Sequence, residues 1–475
     1  MNPELGGPER SLRVAIVGAG PSGFYTAAAL LAPKPQNQVA LSVDLIDRLP
    51  TPYGLVRYGV APDHPKIKEV VRIFERQALD PRVRYLGNVE FGRDLALADL
   101  RRHYDQIVFA VGGPSDRRLG IPGEDAENSL SSTAFVAWYS RHPDFLELPV
   151  VLDGQAAAVV GIGNVAIDVA RVLVRDPEEL AKTDISDDAL RALRAGGPGD
   201  VYLLARRGPV QAKCSPAELK EMGHLGGVDL LVDPRDLELD EASAEELASD
   251  REAQKNLELL RAFAARGATG TTGDRRRIHL RFLVSPVEVV AENGRVSGLK
   301  IERNRLVPGR SGGPGLSGLS ARGTGEFETL PVGLVVRAVG YRSLPLPGLP
   351  FDERGGIIPN RGGRVLDPAS GEPMPGLYVA GWVKRGPTGL IGSNKPDGLE
   401  TAEAMLADRA TAAPAPAADR AAIDATLAAR GVRVVDFPQW QRLDRLEVER
   451  GQREGRPRVK FGPVAEMLAA LDRPS

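Results

Sequence analysis

Short apolar runs alternate with longer amphipathic stretches along this chain, and glycine-rich turns separate several of them. The apolar run at residues 14–17 leads through such a turn into a helical stretch that ends near Leu31. The same order recurs where the apolar run at residues 157–160 leads through a second turn into another helical stretch. Continuous apolar strands that alternate with helices are typical of parallel sheets buried on both faces. The pattern therefore predicts an α/β protein.

The two turns have the glycine spacing of dinucleotide-binding sites. Glycines allow a tight turn and close approach to a pyrophosphate, and free amides at the next helix N-terminus face the anion. Two such turns predict two Rossmann-like, three-layer domains, one for a flavin and one for a nicotinamide that exchange a hydride. The predicted contacts are Gly18, Ala19, Gly20, Ser22 and Gly23 at the first turn, and Gly161, Gly163, Asn164, Val165 and Ala166 at the second.

The residues after the second strand of each unit differ in charge. Asp47 ends the first of these strands, and a carboxylate there accepts hydrogen bonds from an unphosphorylated ribose such as that of FAD. Arg206 and Arg207 end the other strand, where no acid stands. Since guanidinium groups suit a 2′-phosphate by charge and by geometry, the second site is expected to prefer NADP(H) over NAD(H).

Composition narrows the possible classes of protein. A chain of 475 residues is expected to form two or three domains, and 61 basic against 63 acidic residues give a formal net charge of −2, which argues against nucleic-acid binding by net charge. No apolar run is long enough for a membrane span, and we expect a cytoplasmic protein. Cys214 is the one cysteine, so a redox-active Cys-x-x-Cys pair is excluded. We expect no metal site and assign Cys214 no catalytic role.

Paired strand endings indicate where the chain leaves the first domain and returns to it. Both FAVGG near residue 113 and RAVGY near residue 340 end an apolar strand at glycine. We therefore predict a discontinuous FAD-binding domain of residues 1–113 and 336–475, with an NADP-binding domain of residues 114–335 inserted into it, as in glutathione-reductase-like architectures. Residues 309–325 are rich in Gly, Ser and Pro and predict a loop.

Longer motifs resemble one known family over most of the chain, from about residue 12 to about residue 468. These motifs are YGLVRYGVAPDHP from residue 53, GNVEFGRD from residue 87, GWVKRGPTGLI from residue 381 and GQREGRPR from residue 451. They resemble the adrenodoxin-reductase-like ferredoxin–NADP+ reductases, and the chain is similar to a bacterial member. The resemblance implies a flavoprotein oxidoreductase that passes electrons from NADPH through FAD to a ferredoxin-type iron–sulfur protein.

The resemblance also implies roles for further residues. The expected FAD contacts are Leu55, Val89, Trp382, Gly389, Leu390 and Ile391, while Gly389 and Glu218 are expected beside NADP. His64 and Glu218 would orient the nicotinamide or relay a proton. Each has a simpler alternative, because Glu218 fits a helix cap that begins at Ser215 and His64 lies in a proline-rich turn.

The expected partner is an acidic ferredoxin, and the chain is expected to be a monomer. Eight basic residues at positions 251–281 could form the docking face, or they could be a solvated helix followed by a strand. Two other functions stay open at this point. One is an NADPH-dependent flavin reductase subunit or diaphorase with another electron acceptor, and the other is a non-catalytic dinucleotide sensor.

Overall fold

The computed structural model describes residues 5–7, 10–32, 39–154, 156–267, 275–309 and 318–473. The backbone divides into two compact units. The first contains Met1–Val60, His64–Ser115 and Gly340–Ser475, and the second contains Ala61–Asp63 and Asp116–Val339. The short strands Ser115–Asp116 and Tyr341–Arg342 form a two-stranded sheet.

The first unit contains a mostly parallel sheet. Its edge beyond Pro373–Val379 is antiparallel, whereas the strands around Leu12–Val17 are all parallel. The strands described here run across the sheet in the order Asn360–Arg361, Arg364–Leu366, Pro373–Val379, Gln106–Phe109, Leu12–Val17, Leu41–Ile46 and Val83–Leu86. Leu12–Val17, which leads into the first glycine turn, therefore lies inside the sheet, with Leu41–Ile46 on one side and Gln106–Phe109 on the other.

Both faces of this sheet are buried. Val14 and Ile16 pack in one hydrophobic cluster, whereas Ala15 and Val17 pack in another, because successive side chains of a strand point to opposite faces. The helices of the unit are Pro21–Leu31, Leu55–Tyr58, Pro65–Lys68, Val71–Ala78, Leu97–His103, Trp382–Arg385, Asn394–Asp408, Arg420–Ala429, Phe437–Arg453 and Val464–Asp472, with a 3-10 turn at Ile391–Ser393. This burial explains why residues 14–17 of the strand Leu12–Val17 are all apolar.

The second unit contains a parallel sheet of its own. Its described strands run in the order Ser129–Ser131, Leu334–Arg337, Ala156–Val160, Asp200–Leu204, Arg276–Arg281 and Val228–Val232. Its helices are Ser132–Tyr139, Asn164–Val174, Pro177–Leu180, Asp187–Gly196, Pro216–Met222, Glu241–Ser249 and Arg251–Gly267, with 3-10 turns at Pro143–Phe145, Pro209–Gln211 and Pro234–Leu237. Ala156–Val160 precedes the second glycine turn and again lies between two parallel neighbours.

The two faces of the second sheet are covered differently. Ala157 and Val159 pack against helices, whereas Ala158 and Val160 pack against an antiparallel sheet. That smaller sheet consists of Val284–Glu292, Arg295–Pro308 and Leu319–Leu330. Each unit is thus a layered α/β domain built on a parallel sheet, and the predicted fold class is confirmed.

Two details differ from the sequence-based expectations. Leu334–Arg337 lies wholly in the sheet of the second unit, so the chain returns to the first unit at Gly340 and not at residue 336. The predicted loop at residues 309–325 is wrong in part, because Leu319–Leu330 is a strand; residues 310–317 lie outside the described residues. No helix in the described ranges combines the length and the apolarity that a bilayer crossing requires.

Candidate functional site

The first glycine turn is held closely between neighbouring strands. The Gly18 N–H donates to the carbonyl of Ile46 at 2.7 Å, at the end of the adjacent strand. Gly18 has φ +111°, and a Cβ there would lie 2.4 Å from the Ala110 carbonyl oxygen. A Cβ at Gly23 would lie 2.0 Å from the Gly18 carbonyl oxygen. Both positions therefore require glycine for the turn itself, whatever it binds.

The second glycine turn repeats this geometry in the other unit. The Gly161 N–H donates to the Leu204 carbonyl at 2.9 Å, and Gly161 has φ +136°. A Cβ at Gly161 would lie 2.3 Å from the Ala338 carbonyl oxygen. Ala166 occupies the place of the third glycine, and its side chain is fully buried in the core. Only the amide of Ala166 can therefore face a ligand.

The middle glycine of each turn, Gly20 or Gly163, lies in more open space than Gly18, Gly23 and Gly161. A Cβ at Gly163 would meet no described atom within 4 Å, and a Cβ at Gly20 would meet only the Gly54 Cα at 4.0 Å. Each of these glycines is also the N-cap of the following helix, and neither of the helices has a side-chain cap among the described residues. Open space beside uncapped helix amides is what a pyrophosphate requires.

Asp47 is tied to the first glycine turn by both of its oxygens. One oxygen accepts the Ala19 N–H at 2.9 Å, and the other accepts the Leu49 N–H at 3.0 Å. Burial raises the pKa of Asp47, and the two amides act in the opposite direction. The carboxylate is therefore held at the strand end, next to the turn. Val89, a predicted adenine contact, is buried and donates its N–H to the Asp47 carbonyl at 2.9 Å.

Tyr53 and Gly54 lie against the first glycine turn. The Tyr53 N–H donates to the Ala19 carbonyl at 2.7 Å. Tyr53 and Gly54 both have positive φ, +82° and +49°. A Cβ at Gly54 would lie 3.3 Å from the Gly20 Cα, so glycine permits this approach. Leu55 follows at the start of its helix and is 37% exposed. An exposed leucine beside the turn can pack against a bound ring system.

Predicted flavin contacts also follow the last parallel strand of the first unit. Trp382 is half-buried, and its indole donates to the Thr388 carbonyl at 3.2 Å. Leu390 is 65% exposed, and Gly389 has φ +81°. The amides of residues 389–391 donate to no acceptor within the described part of the chain. The turn therefore presents successive free N–H groups beside an exposed apolar side chain.

Arg206 and Arg207 follow the strand Asp200–Leu204, whose last carbonyl accepts the Gly161 N–H. Arg206 is exposed and Arg207 is half-buried; neither guanidinium makes an ion pair or hydrogen bond to any residue that the structure describes. Burial, and then the charge of Arg206, lower the pKa of Arg207. The charge of Glu246 opposes this effect less strongly, so two adjacent guanidinium groups with no described carboxylate in ion-pair contact form a site for a polyanion such as a phosphate.

The backbone at this arginine pair is fixed by Asn304, which the sequence analysis missed. Asn304 is buried and donates from Nδ2 to the Arg206 carbonyl at 2.9 Å and to the Ser285 hydroxyl at 2.8 Å. Leu283 also donates its N–H to the Arg207 carbonyl at 3.1 Å. A single asparagine far along the chain gives no sequence signal for this contact.

Ser215 caps the helix Pro216–Met222, as expected if Glu218 belongs to a helix cap. Its hydroxyl accepts the Glu218 N–H at 3.3 Å, but its own N–H donates to Asn164 Oδ1 at 2.9 Å. The Asn164 side chain therefore connects the second glycine turn to this cap. The Glu218 carboxylate lies 3.4 Å from Arg171 Nη1. Burial raises the pKa of Glu218, and the Arg171 charge opposes that rise.

Arg171 is a further residue whose role the sequence analysis missed. It is fully buried at the end of an apolar helix face, and its guanidinium bonds Asp63 at 2.6 Å and Asp168 at 2.7 Å. Arg175 also reaches Asp63, at 2.7 Å. A buried charge must be paired, so Asp168 and Arg171, the two charged residues of the otherwise apolar run at residues 165–174, were a usable signal.

The remaining candidates of the sequence analysis are His64, Ser22 and Cys214. His64 is buried in the first unit and precedes the helix Pro65–Lys68. The hydroxyl of Ser22 donates to Asn394 at 2.9 Å, so its side chain is engaged within the protein. Cys214 is buried, and burial raises the pKa of its thiol to about 11, which leaves it protonated and unreactive near neutral pH.

The basic positions of the strand Arg276–Arg281 are largely neutralised. Arg277 pairs with Asp200 at 2.6 Å, and Arg281 pairs with Glu328 at 2.8 Å. On the preceding helix, Arg251, Lys255 and Arg261 are exposed. The strand therefore contributes little free charge, which favours the solvated-strand alternative there and leaves the helix as the basic surface of this region.

Comparisons with known proteins agree with this geometry. The family described as pyridine nucleotide-disulphide oxidoreductase matches residues 12–232, which include both glycine turns. The "NADPH-ferredoxin reductase FprA" of Mycobacterium tuberculosis strain H37Rv is 44% identical over 469 residues, covering 97% of this chain and 99% of that protein. The mitochondrial "NADPH:adrenodoxin oxidoreductase" of Arabidopsis thaliana is 41% identical over 470 residues, covering 97% and 95%.

A solved structure, that of Mycobacterium tuberculosis FprA in complex with NADPH, superposes with a TM-score of 0.89 at 43% identity and covers 98% of this chain and 100% of that one. The fold and the two sites define a two-dinucleotide oxidoreductase. The chain belongs to the adrenodoxin-reductase-like ferredoxin–NADP+ reductase family, and the family predicted from the motifs is confirmed.

Proposed function

We propose that this protein is a ferredoxin–NADP+ reductase that passes electrons from NADPH through FAD to a ferredoxin-type iron–sulfur protein. The observation that carries the proposal is the pair of matching glycine turns with opposite neighbouring charge. Asp47 lies beside the first turn, whereas Arg206 and Arg207 lie beside the second. The names of the full-length relatives, an NADPH–ferredoxin reductase and an NADPH:adrenodoxin oxidoreductase, support the same reaction.

The first unit fits FAD. Gly20 leaves open space before an uncapped helix, where the pyrophosphate would bind. Each oxygen of Asp47 accepts one amide and retains a lone pair for a ribose hydroxyl. The free amides of residues 389–391 would face the pyrimidine edge of the flavin, with Leu390 against the ring. Gly18, Ala19, Ser22, Gly23, Leu55, Val89 and Trp382 complete the proposed FAD site.

The second unit fits NADP(H). Gly163 leaves open space before another uncapped helix, and Arg206 and Arg207 would bind the 2′-phosphate. Because an NAD ribose is usually held by an acid at this strand end, two arginines favour the phosphorylated coenzyme. Gly161 and the amides of Asn164, Val165 and Ala166 complete the proposed site in this unit, and the expected contact of Gly389 with NADP stays a prediction.

Glu218 and His64 are the ionisable residues that we place at the nicotinamide. Burial raises the pKa of Glu218, and Arg171 holds the carboxylate in place from the same unit. Glu218 would orient the carboxamide of the nicotinamide, and His64 would exchange a proton at a ring nitrogen of the reduced flavin. The bound flavin supplies the conversion between a two-electron hydride and single electrons, and the protein supplies position and electrostatics.

The test is electron transfer to a defined acceptor. The purified protein should be yellow, with about one FAD per chain, and should reduce cytochrome c from NADPH only when a ferredoxin is added. The Arg206→Gln, Arg207→Gln double variant is the comparison. It should require a far higher NADPH concentration to reach the same rate, whereas the dependence of its rate on ferredoxin concentration should be unchanged. Cytochrome c reduction at the same rate without ferredoxin would instead favour a diaphorase with another acceptor. The monomeric state and the cytoplasmic location stay predictions, checked by light scattering and by fractionation.

A further inference from the structure

Asn394 connects two segments of the first unit that are far apart in sequence. It begins the helix Asn394–Asp408 and is 7% exposed. Its Oδ1 accepts the Ser22 hydroxyl at 2.9 Å and Arg385 Nη2 at 3.0 Å. Its Nδ2 donates to the carbonyls of Leu390 at 3.3 Å and Ile391 at 3.1 Å. Since an amide side chain offers two donor hydrogens and two acceptor lone pairs, all of its hydrogen-bonding capacity is used.

These contacts determine which backbone groups of the 388–391 turn are engaged. The Leu390 carbonyl also accepts the Ser393 hydroxyl at 2.6 Å, and the Thr388 carbonyl accepts Arg385 and the Trp382 indole. The carbonyls of Thr388, Leu390 and Ile391 are thus bonded to side chains of the same unit. The amides of residues 389–391, in contrast, have no acceptor among the described residues. Successive backbone N–H groups left free in this way form a site for an anion or an electron-rich edge.

Ser22, which donates to Asn394, lies in the first glycine turn. Ser22 belongs to the opening turn of the helix Pro21–Leu31, which packs closely against Asn394–Asp408. A Cβ at Gly398 would lie 2.9 Å from the Thr26 N, so glycine permits this close helix packing. Asn394 is therefore bonded at once to the turn proposed for the pyrophosphate and to the turn proposed for the flavin ring.

We propose that Asn394 is a positioning residue that fixes the spacing between Ser22 and the free amides of residues 389–391. This inference rests on the proposed function, because it assigns those amides to the flavin. Amides held at a fixed position stabilise negative charge better than amides that must reorganise. Asn394 thereby tightens FAD binding and stabilises the reduced, anionic form of the flavin.

The experiment compares Asn394→Leu with Asn360→Leu. The leucine keeps most of the volume and removes all four hydrogen bonds. Asn360 is a matched control, since its Nδ2 also donates to two carbonyls of the first unit, those of Ile358 and Lys384, away from the 388–391 turn. We measure the FAD dissociation constant by flavin fluorescence, the flavin midpoint potential and the melting temperature.

We expect Asn394→Leu to raise the FAD dissociation constant about tenfold or more, and to shift the midpoint potential to a more negative value. Asn360→Leu should change the constant by less than about twofold and leave the potential unchanged. A merely structural role of Asn394 would lower the melting temperature in both variants and move the potential in neither, which would overturn the proposal. If Asn394→Leu does not fold, Asn394→Asp replaces it, because it keeps the acceptor oxygen for Ser22 and Arg385 while losing both donor bonds to the turn.

The readouts also separate this inference from the proposed function. FAD affinity and potential do not depend on whether a ferredoxin accepts the electrons. A wild-type chain that binds no FAD would overturn both proposals. A wild-type chain and an Asn394→Leu variant with equal FAD affinity and equal potential would overturn the role of Asn394 alone.

Discussion

At the scale of single residues, one carboxylate and two guanidinium groups distinguish two otherwise matching turns. Asp47 has already accepted an amide on each oxygen, so it organises the first glycine turn and can also hold a ribose. Arg206 and Arg207 have no such internal task, since their guanidinium groups are unpaired within the described residues. The two cations repel each other, and the charge of Glu246 offsets this only in part at Arg207, so an anion that binds both groups stabilises the pair.

The arginine pair yields the first prediction. Changing Arg206 and Arg207 to glutamine should raise the KM for NADPH about 100-fold, since hydrogen bonds to charged groups contribute ~1.5–3 kcal/mol each. The KM for NADH should change little, because NADH lacks the 2′-phosphate. Steady-state kinetics with both coenzymes is the measurement, and Arg191→Gln, on an exposed helix face, is the control. Equal losses for both coenzymes would contradict the assignment.

Asp47 yields a second prediction at this scale. Asp47→Ala should produce protein depleted in flavin, because it removes both the ribose acceptor and the bonds that hold the Ala19 and Leu49 amides. The absorbance ratio of flavin to protein reports the occupancy. Asp367→Ala is a matched control, since Asp367 also accepts two backbone amides in the same unit, those of Ala369 and Ser370. Full occupancy in Asp47→Ala would rule out the proposed role.

At the scale of elements, the strand–turn–helix units were predictable and their supporting contacts were not. Residues 14–17 of the strand Leu12–Val17 are all apolar because their two sets of side chains enter two separate cores, and that pattern is visible in the sequence. Leu319–Leu330 was missed because its side chains are mostly exposed and show no apolar alternation. Asn394 was missed because nothing local indicates that Ser22, far along the chain, is its partner.

The glycine turns allow a prediction that separates folding from binding. Gly161→Ala should destabilise the second unit by about 1–3 kcal/mol, because φ is +136° and the new Cβ would lie 2.3 Å from the Ala338 carbonyl oxygen. Gly163→Ala should melt like the wild type, because a Cβ there meets no described atom within 4 Å. It should nevertheless weaken NADPH binding about tenfold by occupying the pyrophosphate space. Unchanged NADPH affinity in a folded Gly163→Ala variant would contradict that placement.

Asp44 connects neighbouring strands of the first sheet and gives a pH prediction. It is fully buried and accepts hydrogen bonds from Arg13 at 2.9 Å, Arg84 at 2.8 Å and the Tyr104 hydroxyl at 2.8 Å. Burial acts to raise the pKa of Asp44, but Arg84 and Arg13 outweigh it and hold the pKa below its ordinary value of 3.8. The ionised carboxylate therefore stabilises the fold above that value, and the contribution is lost as the pH falls through the lower folded pKa.

Asp44→Asn should accordingly lower the free energy of unfolding by about 3 kcal/mol near neutral pH, since it removes the ion-pair partner of the buried Arg13 guanidinium and one of the two partners of Arg84. The difference from the wild type should shrink below pH 3.8. Urea unfolding across this pH range measures both effects. Asp188→Asn, at an exposed pair with Arg191, should show neither. A difference that stays constant with pH would mean that the charge of Asp44 is not the cause.

At the scale of the whole molecule, each unit has its own parallel sheet and its own hydrophobic clusters on both faces of that sheet. The clusters of the first unit contain no residue of the second unit. Each proposed coenzyme is therefore assigned to a unit with a complete core, and each coenzyme should stabilise the unit that holds it. Ligand binding to the native state alone stabilises by RT ln(1 + [L]/Kd).

Hydrogen exchange resolved by peptide tests this division. NADP+ at about 100 times its Kd should add ~2.7 kcal/mol to the opening free energy of the second unit, and so slow exchange about 100-fold in Asn164–Val174 and Asp200–Leu204. Exchange in Leu12–Val17 should be unaffected by NADP+ and slowed by FAD added to flavin-stripped protein. The Arg206→Gln, Arg207→Gln variant should lose the NADP+ effect and keep the FAD effect, because the arginines act on one coenzyme only. Protection of Leu12–Val17 by NADP+ without protection of Asn164–Val174 would reverse the assignment of the two sites.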